Sequence, residues 1–165
     1  MMTTRKSNVI AIDTGSNGGI SIFTNGEIKC SPFVDVENAL KFIKENCGSK
    51  IGDFSAVVET LNIFSNVNGS KNTVYKQGVS FGVCIGLLKG LGINDIELVS
   101  AKKWQSYLDL PKGIDYKERK SILENKAEEL FPKEMSVKNT KKYKSSICDS
   151  LLILKYYLDF HGKCI

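Results

Sequence analysis

Histidine occurs once in these 165 residues, at His161, and the five cysteines (Cys30, Cys47, Cys84, Cys148 and Cys164) never form a CxxC pair. A zinc site therefore lacks its usual ligands. Cysteines odd in number, most of them in apolar runs, read as reduced core thiols rather than a disulfide framework. No apolar run reaches the roughly 18 residues that a membrane span needs. The opening MMTTRKSN has no apolar signal region, so a cytoplasmic location is expected. Internal repeats, low-complexity tracts and linkers are missing too, and a single domain over residues 1–165 is expected, long enough for a real core. An acidic excess is absent: 23 Lys+Arg against 18 Asp+Glu leave a net charge of +5. That balance is compatible with a polyanionic partner.

What is present is organised around Val9–Phe23, VIAIDTGSNGGISIF. Its first four residues are apolar and mostly β-branched, as in a strand buried on both faces. Asp13 ends that strand, and Thr14 to Gly19 supply a tight glycine-rich turn. Ile20–Phe23 starts an alternating strand that Asn25-Gly26 turns back as a hairpin. An acid at a strand end beside such a turn suits a metal or phosphate site. The plain alternative is a surface acid after a core strand.

Further along, Glu27–Phe33 reads as the return strand and Val36–Cys47 as a helix stopped by Gly48. Phe54–Leu61 is a second buried strand, with Glu59 inside it. Asn62–Asn72 reads as a polar loop. Thr73–Leu91 is a long helix on which Gly78, Gly82, Gly86 and Gly90 recur every four residues. That stripe lets another backbone approach closely, either within the chain or from a second subunit. Ile96–Val99 is a strand, and Ser100 caps a helix from Ala101 to about Leu108. Tyr116–Leu130 is an amphipathic helix, Pro132–Lys144 a basic loop, and Ser145–Phe160 the last helix. Trp104 reads as core or dimer packing and His161 as surface. The pattern predicts an α/β fold: a mixed five-stranded sheet with helices on both faces.

Asp149 lies on the last helix opposite the stripe of Ile147, Leu151, Leu154 and Leu158, but its own side carries Leu152, Ile153 and Tyr156. A carboxylate there needs a lysine or a metal beside it. Asp13, Glu59 and Asp149 are thus three acids in apolar settings. If the two strands are neighbours, the first two carboxylates meet at one sheet end, and a helix across that end adds the third. Clustered oxygen ligands favour Mg²⁺ or Mn²⁺. Two such ions about 3.5–4 Å apart would serve phosphodiester hydrolysis.

IDTGSNGG at 12–19, VVETL at 57–61, YKQGVSFGVCIG at 75–86, LVSAKKWQ at 98–105, KSILENKAEELFP at 120–132 and ICDSLLI at 147–153 resemble, in order and spacing, the RuvC-type Holliday junction resolvases. The resemblance covers nearly the whole chain, and its shortness and divergence look like a bacteriophage or mobile-element branch. It implies an RNase H-like fold, a homodimer, and Mg²⁺- or Mn²⁺-dependent nicking of four-way junctions and related branched DNA such as forks, with two ions per site. By that resemblance Asp13, Glu59 and Asp149 are catalytic metal ligands. Ser146 stands where the family places a fourth ligand, Asp or His, and Thr14 where it often has proline. Lys102, Lys103 and Lys120 are implied to approach the DNA backbone. Lys138, Lys141, Lys142 and Lys144 of the basic loop join them as phosphate contacts. Phe64 is the aromatic implied to probe unpaired bases at the junction centre. Gly78, Gly82 and Gly86 are the expected dimer surface. Two other classes are compatible with parts of the pattern. The glycine-rich turn also resembles the phosphate loop of actin-like ATPases and sugar kinases. A non-catalytic branched-DNA-binding relative would keep the fold and the lysines.

Overall fold

The computed structural model describes residues 8–15, 17–60, 71–136 and 141–162. Phe64 and Lys138 lie outside them. Five strands form one mixed sheet in the order β3-β2-β1-β4-β5: β1 (Val9–Ile12), β2 (Gly19–Thr24), β3 (Glu27–Pro32), β4 (Ser55–Thr60) and β5 (Asp95–Ser100). β1 is central, antiparallel to β2 and parallel to β4, and all four of its residues are fully buried. This fits its unbroken apolar run, since a strand covered on both faces has no polar side. Asn25 and Gly26 take positive φ values of 53° and 77° to close the β2–β3 hairpin, the backbone that an Asn-Gly turn supplies.

Strand alternation sorts the core into two layers. Ile10, Ile12, Ala56 and Val58 point to one side, under α1 (Val36–Cys47) and α2 (Lys71–Gly90). Val9, Ala11, Val57 and Val99 point to the other, under α3 (Ala101–Tyr107), α4 (Tyr116–Leu130) and above all α6 (Lys141–Phe160). Eleven residues of α6 are buried, Ile147 to Leu158 among them. The helix is apolar nearly all round because it lies across the sheet with α3 and α4 packed against its flanks.

Two expectations change. The predicted basic loop over 132–144 is in large part helical: α5 (Pro132–Ser136) follows α4 directly, and α6 begins at Lys141. Proline suits the first turn of α5, where its missing N–H costs nothing. His161 is not a surface residue. Its side chain is 7% exposed, hydrogen-bonded to Glu97 Oε2 at 2.9 Å and set edge-on to Tyr157, because His161, just past the end of α6, meets Glu97 of β5. Of the two readings of Trp104, core or dimer packing, the structure bears out the first: the side chain is fully buried in the core.

The glycine stripe of α2 faces outward. Gly78, Gly82, Gly86 and Gly90 are exposed, and a methyl group added at any of them would meet nothing within 4 Å among the described residues. Packing against the described residues therefore does not account for the stripe there. The close approaches lie at other glycines. A Cβ at Gly18 would collide with the Asp13 carbonyl oxygen, and one at Gly19 with the Ser146 carbonyl oxygen.

Candidate active site

Asp13 directly follows β1, and Glu59 lies in β4. The parallel register pairs Ile12 with Val58, so Asp13 and Glu59 come next to each other at the same end of adjacent strands. Strand parity decides the face: Asp13 continues Val9 and Ala11, and Glu59 continues Val57, all on the side that α6 covers. The turn closes with Asp13 N–H donating to the Gly19 carbonyl at 3.0 Å, and Gly15 N–H donates to Asp13 Oδ1 at 2.9 Å.

Small residues bring α6 in. Gly19 leaves room for the Ser146 carbonyl, and the buried Ser21 and Ser150 hydroxyls hydrogen-bond each other at 2.8 Å across the β2–α6 seam. Ser150 also donates to the Ile147 carbonyl at 2.9 Å, so both members of this buried pair are satisfied. This close seam carries Asp149 over the end of the sheet. The three acids predicted to meet are thus assembled from β1, β4 and α6.

Their electrostatics report the proximity. The Glu59 carboxyl is pushed up from 4.5 to about 9, by burial first, then by the Asp13 charge and a hydrogen bond shared with Asp13; the Trp104 indole opposes this, and Asp149 adds to it. Burial and the Asp13 charge raise Asp149 from 3.8 to about 6, against the lowering charge and hydrogen bond of Lys120. Lys120 Nζ lies 3.3 Å from Asp149 Oδ2. Burial works against the Lys120 ammonium, but the Asp149 carboxylate outweighs it and holds the lysine pKa above its ordinary value.

Each acid has its own protein partner: Gly15 N–H for Asp13, Trp104 Nε1 for Glu59 at 3.1 Å, Lys120 for Asp149. Among the described residues no three Asp, Glu, His or Cys side chains already stand at metal-holding spacing. The chemistry of the donor set nevertheless fits a hard divalent cation. It is all carboxylate oxygen, and its members repel each other. Asp149 Oδ1 is moreover buried without a hydrogen-bond partner among the described residues.

Ser146 is buried and spends its hydroxyl on the Lys142 carbonyl, at 3.0 Å. A cleft of about 270 Å³ opens over Asp13 and Asp149, lined also by Asn17, Gln77, Arg119 and Lys120 among others; Glu59 is not part of its lining. Lys120 thus stands inside the site rather than on its rim. Lys102 lies in a neighbouring cleft of about 450 Å³, with Gln105, Lys112 and Arg119. Lys103 is turned away, its ammonium 5.8 Å and 5.3 Å from the Tyr156 and Phe160 ring centres. Lys144 pairs with Glu128 at 2.9 Å, and Lys141 and Lys142 are exposed on the first turn of α6.

Sequence reasoning missed Arg119, Gln77 and the contact of Trp104 with Glu59. Arg119 had a signal, its position beside Lys120 on a charged helix. The other two had none, because each depends on which way a helix faces after packing.

No protein-family model matches this chain, and no curated protein matches it. Among solved structures the fold is similar to that of Thermus thermophilus RuvC, with a TM-score of 0.50 and 12% identity, over 93% of this chain and 96% of that one. The likeness bears out the expected mixed five-stranded, RNase H-like architecture with helices on both faces.

Proposed function

We propose that this chain is a divalent-metal-dependent, structure-selective endonuclease that nicks four-way junctions and related branched DNA such as forks. One observation carries the reading: Asp13, Glu59 and Asp149 converge from three elements at one end of a RuvC-like sheet, beneath a cleft that also holds Lys120 and Arg119.

In this reading the three carboxylates hold two Mg²⁺ or Mn²⁺ ions. When bound, the ions lower the pKa of an attacking water and stabilise the leaving oxygen. The chain's own residues do the rest. Ionised Asp13, Glu59 and Asp149 supply the ligand oxygens. Lys120 leaves Asp149 and, with Arg119, neutralises phosphate at the cleft. Lys102, Lys138, Lys141, Lys142 and Lys144 extend the cationic surface along the backbone, while Lys103, held over the Tyr156 and Phe160 rings, is left out of it. Phe64 stacks on unpaired bases at the junction centre. Ser146 provides no carboxylate, which leaves one ion more weakly held. The chain forms one domain and acts as a two-fold homodimer through Gly78, Gly82 and Gly86, since paired nicks on a symmetric junction need two sites. A phage or mobile-element origin rests on the chain's shortness and divergence.

The deciding experiment is nicking of an end-labelled four-way junction, with a linear duplex of the same sequence as control. Cutting confined to the junction and dependent on Mg²⁺ or Mn²⁺ is expected. Binding without cutting would favour a second reading, a non-catalytic branched-DNA binder. Ser146 and the separate protein partner of each acid are the observations on its side.

A further inference from the structure

We infer that Trp104 is a positioning residue for the acidic site: its buried indole N–H fixes Oε1 of Glu59 and so sets where the rest of that carboxylate faces. The inference rests on the reading of Asp13, Glu59 and Asp149 as metal ligands.

The contact is long in sequence and short in space. Trp104 Nε1 donates to Glu59 Oε1 at 3.1 Å across 45 residues. The route is visible in the topology. Glu59 pairs with Val99 in the β4–β5 register, Ser100 ends β5 and caps α3 by accepting from Lys103 N–H, and Trp104 stands one turn into that helix. The ring is fully buried in the layer under α6, so its orientation is set by packing. An indole N–H donates and cannot accept, so it holds a carboxylate oxygen in one sense only. Glu59 is also held from its other end, where Thr14 Oγ1 donates to its carbonyl at 3.1 Å. A glutamate has three side-chain torsions to order. With backbone and one oxygen gripped, the carboxyl is held where it shares a hydrogen bond with Asp13. Partners of this kind behind a ligand commonly change metal affinity or activity by about 10- to 100-fold.

Trp104 is also the chain's one tryptophan, so tryptophan emission comes from this indole alone. The test compares wild type, Trp104→Phe, Glu59→Gln and the double variant. The readouts are the Mn²⁺ concentration for half-maximal thermal stabilisation and that for half-maximal junction nicking. Trp104→Phe keeps a buried ring and removes the donor. It is expected to raise both Mn²⁺ midpoints about 10-fold or more, with junction binding in EDTA unchanged. In the Glu59→Gln background, which is not expected to nick and is read by thermal stabilisation alone, the same substitution should leave the Mn²⁺ midpoint unmoved, because the indole acts through Glu59. A lowered melting temperature with unmoved Mn²⁺ midpoints would make Trp104 a packing residue only and overturn the inference. Should Trp104→Phe fail to fold, wild-type emission decides. Saturable Mn²⁺ quenching that disappears in Glu59→Gln supports positioning. Emission indifferent to Mn²⁺ that stabilises the protein overturns it. A wild type that neither binds Mn²⁺ nor nicks junctions would fail at the earlier step, the metal-nuclease reading itself.

Discussion

Asp13, Glu59 and Asp149 differ in what balances them, and their substitutions should differ accordingly. Asp149 has Lys120 at 3.3 Å, Glu59 has an indole, and Asp13 has the backbone of its own turn. Asp13→Asn, Glu59→Gln and Asp149→Asn should each abolish junction nicking and retain junction binding, because none removes a cationic group. A variant that cuts at near wild-type rate in a single-turnover assay would take its residue out of the site. Lys120→Met is expected to behave differently. It leaves the Asp149 carboxylate buried and unpaired, which destabilises the metal-free fold at neutral pH by several kcal/mol at most, on the order of 3–5 for a fully buried pair and less here because Lys120 is partly exposed. It should also weaken junction binding. Denaturant unfolding at pH 7 in EDTA, which should show a lowered midpoint, checks the first effect.

At the scale of elements, glycines of the same chain carry opposite predictions. Gly19 lies where β2 meets α6, and an added methyl would collide with the Ser146 carbonyl. Gly19→Ala should therefore push α6 off the sheet, costing about 1–3 kcal/mol as overpacking does, and displace Asp149. Reduced stability together with reduced nicking is the expected result. A methyl group added at Gly82 on α2 meets nothing within 4 Å among the described residues. Gly82→Ala in an isolated chain should gain up to about 1 kcal/mol from helix propensity. Gly82→Leu should leave that chain folded and disrupt the proposed dimer. Sedimentation showing an intact dimer and unchanged paired cutting would move the interface elsewhere.

Two predictions belong to the molecule as a whole. In the metal-free chain Glu59 titrates at about 9 instead of 4.5 and Asp149 at about 6 instead of 3.8. Between those values the folded chain binds more protons than the unfolded one, so stability falls as pH rises from about 4 to about 9. Metal binds the ionised carboxylates and should flatten that decline. Urea midpoints across the range, with EDTA and with Mg²⁺, measure both; a midpoint that rises with pH in EDTA would contradict the buried acidic cluster. Junction affinity should in turn fall linearly on a log–log plot against salt, because the proposed contacts are lysines on phosphates. Equal affinity for junction and linear duplex throughout a salt titration would remove structure selectivity.

The sequence by itself determined what is local and periodic. The all-apolar run before Asp13 marked a central strand, Asn25-Gly26 a hairpin, Ser100 a cap, and the clash of acids with apolar runs singled out Asp13, Glu59 and Asp149. The ordered motifs carried the fold class as well, since alternation between hairpin strands and helices leaves few mixed-sheet topologies. Only the tertiary structure decided what depends on a direction after packing. It put Asp13 and Glu59 on the face under α6, because strand parity has no absolute side until a helix covers one. It turned the glycine stripe outward, moved Lys120 into the site and Lys103 out of it, and joined Trp104 to Glu59 across 45 residues. These are properties of how elements lie against one another. No residue's neighbours along the chain contain them.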